Sequence, residues 1–335
     1  MKSITVDPIL KTLTVGGGAL WSSVNAAAAK HNLAVVGGTV NTIGVGGLTL
    51  GGGYGYLSGK HGLAIDNLLE VEIVLADGRV VLASAETNKE LFWGVRGAGS
   101  SLGVVTKFVF RAHEQSELVW GGKLIFAKEK LDAVVEEANR VMEFSKGEAT
   151  TTLGFTTVGS EAAVVAVLFY NGSEEAGNAF FTPLLALGAM ENTTAAISYP
   201  TLNTLHNESV LPGNRRTLKG SSFTYPLSAT LATDVLADFE TLIKDIPDAS
   251  KSLVLFEFLS SEKIMSVPQT ATAFANRGTY GNILIAPAWT ESSNDELCKQ
   301  WTRTLAEKLS AEMKGKSGDG VAEYKNYDGM SAYKL

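Results

Sequence analysis

The sequence predicts an α+β protein in two parts. Three observations point there. Short β-type runs joined by turn residues fill the stretch before residue 112, glycine is concentrated in that same stretch, and from about Leu118 onward longer strand-like and helix-like segments alternate. The 335 residues, 45% hydrophobic and 19% charged, are enough for two modest domains with the balance of a soluble globular protein.

In order along the chain, residues 3–6 and 10–15 read as a hairpin around Asp7-Pro8. Gly16-Gly17-Gly18 ends its second strand. Residues 20–30 read as a helix with Leu20, Trp21 and Val24 on its apolar face and Asn32 near its stop. Residues 33–36 form a short strand before the glycine-rich centre at 37–55. Residues 71–75 and 80–83 flank Ala76-Asp77-Gly78, a strong hairpin signal. Residues 88–96 read as a short helix with Asn88 as N-cap, and 104–110 as a β-rich run. The boundary between the parts falls at residues 113–116. Beyond it, strands are expected at 119–126, 151–156, 163–170, 252–259 and 282–288. Helices are expected at 128–144, 174–187, 230–246 and 295–313. This predicts an antiparallel sheet covered on one face by helices.

Net charge is −7 and the basic residues are scattered, which argues against a nucleic-acid partner. A single cysteine, Cys298, excludes an intrachain disulfide. No apolar run is long enough to cross a membrane, and residues 1–8 carry no signal-peptide core. Asn-x-Ser/Thr triplets begin at Asn171, Asn192 and Asn207 and bear on a secreted protein only.

Nine of the nineteen residues from Gly37 to Gly55 are glycine. Missing Cβ atoms let backbone N–H groups converge on an anion or a flat ring; tight turns in a β-rich domain are the structural alternative. Two common nucleotide signatures fail. Gly44-x-Gly46 is followed by Thr49 and Gly53-x-Gly55 by Ser58, so no Gly-x-Gly-x-x-Gly window exists. Gly59-Lys60-His61 lacks the Ser or Thr of a Walker loop.

The run Val45-Gly46-Gly47-Leu48-Thr49-Leu50-Gly51-Gly52-Gly53-Tyr54-Gly55 resembles the berberine-bridge-enzyme-like flavoproteins of the vanillyl-alcohol-oxidase group, most of all fungal 6-hydroxynicotine-oxidase-like members. The likeness continues through Gly62-Leu63-Ala64-Ile65-Asp66-Asn67, Leu75-Ala76-Asp77-Gly78, Leu91-Phe92-Trp93-Gly94-Val95-Arg96-Gly97 and Leu102-Gly103-Val104-Val105-Thr106. Tyr324-Lys325-Asn326-Tyr327 resembles a late Tyr-x-Asn-Tyr segment of the family.

The resemblance implies a PCMH-type FAD-binding domain, here its second lobe, over residues 1–114. It implies a substrate-binding domain over 115–318 whose sheet roofs the flavin, and from 319 to 335 the start of a segment returning to the FAD domain. Cofactor contacts are then expected along Thr42, Gly44, Val45, Gly46 and Gly47, along Gly52, Gly53, Tyr54 and Gly55, and at Gly103, Val104 and Val105. Asp66-Asn67 and Leu91-Phe92-Trp93 are read as core and turn residues. Tyr327 is the catalytic candidate, a base toward a substrate hydroxyl or phenol, provided its neighbours lower a pKa ordinarily about 10. His31, His61, His113 and His206 show no metal-site spacing.

The implied cofactor is FAD, held non-covalently: Val40 stands where some members carry a flavin-linked cysteine, and the linking histidine belongs to a lobe upstream of residue 1. By the same comparison the chain is clipped at both ends. Three readings stay open. The first is an oxidoreductase passing a hydride from a small molecule to FAD and then electrons to O₂ or another acceptor. The second is a non-catalytic truncated homologue that retains no FAD, and the third a binding protein reusing the fold.

Overall fold

The first hairpin turns because the Asp7 carboxylate accepts from the backbone N–H groups of Ile9 and Leu10 at 3.0 and 2.8 Å. A computed structural model describes residues 1–207, 213–313 and 324–328. In it the hairpin strands Ile4–Asp7 and Thr12–Gly16 form one side of a five-stranded antiparallel sheet. The sheet continues through Val104–Arg111, Leu68–Val74 and Val80–Ser84. Gly78, at φ +85°, supplies the left-handed residue of the hairpin between Leu68–Val74 and Val80–Ser84.

One face of this sheet is apolar by alternation: Leu13, Val15, Val71, Ile73, Phe108 and Phe110 are all fully buried. The helix Trp21–Ala29 lies on it and buries Trp21, Val24, Asn25 and Ala28, the i, i+3, i+4, i+7 pattern of one helical face. Trp21 and Phe110 meet at 5.8 Å between ring centroids. The helix Lys89–Ala98 adds Phe92 and Val95. Its start differs from expectation. Asn88 adopts a left-handed conformation and its side chain caps nothing; the amide donates instead to Leu82 O at 2.7 Å, tying the helix to the edge strand. Trp93 is not core either. It is 43% exposed, and its indole N–H donates to Thr270 O at 2.8 Å.

The second sheet has eight antiparallel strands. Its main run, from one edge to the other, is Glu191–Asn192, Leu118–Ala127, Glu161–Tyr170, Ala149–Val158, Leu253–Phe258, Tyr280–Ala286 and Lys219–Thr224; Ala195–Ser198 also pairs with Leu118–Ala127. Lys219–Thr224 was not legible as a strand, because Lys-Gly-Ser-Ser-Phe-Thr carries neither a β-branched run nor clean alternation. Helices Leu131–Phe144, Glu174–Leu185, Ala229–Asp245 and Asp295–Met313 cover one face, within three residues of their expected bounds. Their apolar stripes meet Phe126, Phe155, Phe256 and Ile283 in a single core. Each fully buried side chain of this kind contributes roughly 1.5–3 kcal/mol.

Alternation sends the intervening residues to the uncovered face. There Glu257 lies between Thr152 and Asn282 in register.

The segment from Ile264 to Tyr280 leaves the second sheet and packs on the first part of the chain. Its anchor is Arg277, whose Nη1 and Nη2 donate to the two Asp66 carboxylate oxygens at 3.0 and 2.6 Å with both side chains almost fully buried. Ile264 O and Thr272 Oγ1 accept from the same guanidinium, and Leu63 N–H donates to Asp66 Oδ2. Arg277→Ala strands a buried carboxylate and is expected to cost about 3–5 kcal/mol in a urea unfolding curve. A loss within experimental error of zero would mean the pair is not a structural anchor.

Candidate functional site

Three segments that are distant in sequence meet at one end of the strands Thr12–Gly16 and Val104–Arg111, inside the five-stranded sheet. Gly17 N–H donates to Thr106 O at 2.8 Å, and a Cβ at Gly17 would collide with Val105 O. A Cβ at Gly46 would come to 3.0 Å from Gly17 O. Val45, Trp21 and Ser22 N–H groups pair with Ala19, Ile43 and Asn41 carbonyls, so residues 19–22 run beside residues 41–45. The helix Val45–Leu50 follows directly; it was hidden in the glycine run.

This brings together the expected contacts at Thr42, Gly44, Val45, Gly46 and Gly47 with those at Gly103, Val104 and Val105. Val45 and Val105 turn their side chains into the core, so only their backbone is available. Thr42, Ile43, Gly44 and Gly47 are exposed, and a Cβ built on Gly44 or Gly47 would meet no atom within 4 Å. Leu20, Ile43 and Val104 add exposed apolar side chains on the same segments. Gly103, with φ +149°, lets the chain pass Val74 O. Side-chain-free backbone facing open space beside apolar side chains fits one face of a long flat cofactor.

Gly52, Gly53, Tyr54 and Gly55 form a second group, and there glycine has another cause. A Cβ at Gly51 would strike Asn326, one at Gly52 the Phe274 ring, one at Gly53 the Ala64 and Leu48 side chains, and one at Gly55 the Gly37 carbonyl. Gly52, Gly53 and Gly55 are among the cofactor contacts that the family resemblance implies. In the structure protein atoms occupy the space a side chain would need.

Tyr327 joins this second group through its neighbours. Tyr324 Oη accepts from Gly53 N–H at 3.1 Å and from Asn326 Nδ2 at 2.7 Å. Asn326 Nδ2 also donates to Leu48 O at 3.0 Å, tying the segment to the end of the helix Val45–Leu50. Tyr54, Tyr324 and Tyr327 stack edge to face in sequence, each pair at 4.9 Å. Tyr327 rests over Gly220, and its hydroxyl donates to Glu257 Oε1 at 2.8 Å. Asn282 Nδ2 donates to Glu257 Oε2 at 3.3 Å.

The electrostatics follow from burial. Glu257 is 7% exposed, and desolvation raises its pKa against the opposing pull of the Tyr327 and Asn282 hydrogen bonds. Burial and then the adjacent Glu257 charge raise Tyr327 well above the ordinary tyrosine value. Tyr324 is pushed up to about 12, chiefly by burial. The surroundings thus shift Tyr327 upward, opposite to the direction a tyrosinate base needs, and its hydroxyl donates to Glu257. Sequence reasoning passed over Glu257. Its signal was one carboxylate inside the apolar strand Leu253–Phe258, a position that burial makes costly unless the group is used or paired.

Asp66 and Asn67 are structural as expected. Asn67 bonds His61 O, Leu63 O and His113 Nε2. His61 and His113 stack at 3.6 Å with their planes 12° apart. Burial, helped by His113 and by the Lys60 and Lys263 charges, lowers His61 to about 3. Burial with Arg111, Lys60 and Lys263 lowers His113 to about 4.

The FAD binding domain family model matches residues 1–84. FAD-linked oxidoreductase pgmH of Aspergillus terreus is 30% identical over 330 residues, covering 96% of this chain and 67% of its own length. FAD-linked oxidoreductase hasG of Aspergillus fumigatus is 30% identical over 335 residues, covering 96% and 71%. The chain thus spans about two thirds of the length of these relatives. Two solved structures share the fold. BBE-like 1 of Physcomitrella patens aligns with a TM-score of 0.81 at 23% identity, covering 97% of this chain and 71% of that one. The 6-hydroxy-D-nicotine oxidase of Arthrobacter nicotinovorans aligns with a TM-score of 0.80 at 23% identity, covering 98% and 72%.

Two tests follow from this geometry. Gly47→Val places bulk in open space, so apo-protein stability should stay within about 1 kcal/mol while FAD titration shows weakened binding. Gly53→Val, whose Cβ meets Ala64 and Leu48, should lower stability itself. Unchanged FAD affinity in Gly47→Val would remove residues 44–47 from the cofactor surface. The histidine pair makes stability acid-sensitive. Unfolded histidines take up protons near 6.5 while the folded pair resists until about 4 and about 3. The stabilisation is complete above 6.5 and is lost as pH falls toward those values. The urea midpoint should therefore drop from pH 7 to pH 5, and drop less in a His61→Phe, His113→Phe double variant; equal drops would refute it.

Proposed function

The chain belongs to the FAD-linked oxidoreductases, and from that premise we propose that it oxidises a small organic substrate through a C–H bond whose carbon is activated by a hydroxyl or phenol. The substrate lies between the rim at residues 42–47 and the uncovered face of the eight-stranded sheet. Bound FAD supplies the hydride acceptor there. Backbone at Thr42, Gly44, Val45, Gly46 and Gly47, with Gly103, Val104 and Val105, holds one face of the cofactor, and the Gly52, Gly53, Tyr54 and Gly55 stretch sets the depth of the site by its contacts to Phe274 and Tyr324.

The observation that carries this reading is the hydrogen bond from Tyr327 Oη to the buried Glu257 carboxylate. Oxidation of a hydroxyl-bearing carbon releases a hydride and a proton, and the proton needs an acceptor of suitable pKa. Glu257, raised by desolvation, provides one. Tyr327 stands in front of it. When the substrate O–H donates to Tyr327 Oη, the Tyr327 proton moves to Glu257, so one O–H bond breaks for each one formed and the phenol ends neutral. Asn282 steadies the second carboxylate oxygen. A remnant that binds no FAD is not favoured beside a cofactor-domain match over residues 1–84 and an open glycine rim.

In FAD-loaded protein, Glu257→Gln should slow flavin reduction by roughly 10²–10⁴-fold. Tyr327→Phe should slow reduction more than it weakens substrate binding. Both are read by anaerobic stopped-flow absorbance, and wild-type rates in Glu257→Gln would sink the assignment of the base.

A further inference from the structure

A base that takes up a proton each turnover must also lose it. With substrate and cofactor against the uncovered face of the sheet, the side of Glu257 from which the proton came is covered while they stay bound. The structure holds a second opening. A small cavity of about 10 Å³ is lined by Glu257, Asn282, Tyr280, Tyr54, Tyr225 and Ser261. A void of about that size takes one water when two to four polar groups surround it, and a carboxyl, an amide, phenols and a hydroxyl are all present. Tyr225 and Ser261 also line a groove of about 1080 Å³ between the helix Leu131–Phe144 and residues 260–266. Its walls carry Arg140, paired with Glu137, and the exposed carboxylates Glu136, Glu143 and Glu262, a net negative lining that favours a departing cation.

We propose that these adjoining cavities are the exit by which the proton on Glu257 returns to solvent, past Tyr280 and Ser261. This rests on Glu257 being the base. The Glu257 proton passes to the enclosed water, which releases one of its own toward the Ser261 hydroxyl and the groove; each transfer breaks one O–H bond and forms another, and no electrons move. Tyr280 and Ser261 are positioning residues for that water. Ser261 precedes the short helix Glu262–Met265 but its side chain caps nothing there, so its hydroxyl is dispensable to the helix.

The test follows the acid proton itself. Infrared difference spectra of the protein, below the Glu257 pKa and transferred to D₂O, report how fast a buried carboxylic acid exchanges its proton. Ser261→Val, Ser261→Ala and Tyr280→Phe should each slow that exchange by about tenfold. In the FAD-loaded protein the same variants should turn over slowly and recover with added imidazole, a small proton carrier. Glu257→Gln is measured alongside. If the acid band persists in Glu257→Gln, the band belongs elsewhere and the base assignment fails. If it vanishes there yet exchanges at the wild-type rate in all three other variants, the base stands and the exit route is overturned.

Discussion

The buried pair between Asp66 and Arg277 is the interaction on which the arrangement of the site depends. It joins a turn of the glycine-rich part to a segment that belongs, in sequence, to the sheet carrying Glu257. Burying two charges is costly, and a well-packed apolar contact of the same volume could hold two surfaces together as firmly. What a bidentate guanidinium–carboxylate contact adds is register, because only one mutual orientation satisfies both oxygens. Phe274, Ile264 and Leu63 then pack around that fixed point, and Tyr324 packs with them.

From that register the rest of the site follows. Phe274 sits where a side chain on Gly52 would be, so this stretch of glycines can approach only as bare backbone. Tyr324 accepts from Gly53, Asn326 reaches Leu48, and Tyr327 is carried across to Glu257. One short segment thus fastens the cofactor rim to the sheet that bears the carboxylate. The glycine run has two jobs divided by position: at Gly44 and Gly47 it leaves space empty, and from Gly51 to Gly55 it lets the protein fill space completely.

That division marks how far the sequence could be read. Helices with clear apolar faces, such as Ala229–Asp245 and Asp295–Met313, were legible almost to the residue, since their pattern is local. The glycine-rich centre was legible as a place of unusual backbone, and its chemistry through family likeness. The reason for each glycine was not, because Asn326 and Phe274 lie far along the chain and only folding brings them near. The same limit hid Lys219–Thr224, which becomes a strand through its pairing with Tyr280–Ala286 and not through its own residues. Glu257 was visible as an oddity in an apolar strand; its partner Tyr327 was visible from the motif; their meeting was not, and with it the sign of the Tyr327 pKa shift.

The Tyr324–Tyr327 turn has a consequence for biosynthesis. Both sheets precede it in the order of translation, so they can be emerging from the ribosome and collapsing while Glu257 and the backbone of Gly53 still face water without their tyrosine partners. Closure waits for residues 324–327 to leave the exit tunnel. A nascent chain at that stage presents an open cleft, with the Glu257 carboxylate and the Gly53 N–H still hydrated until this turn arrives.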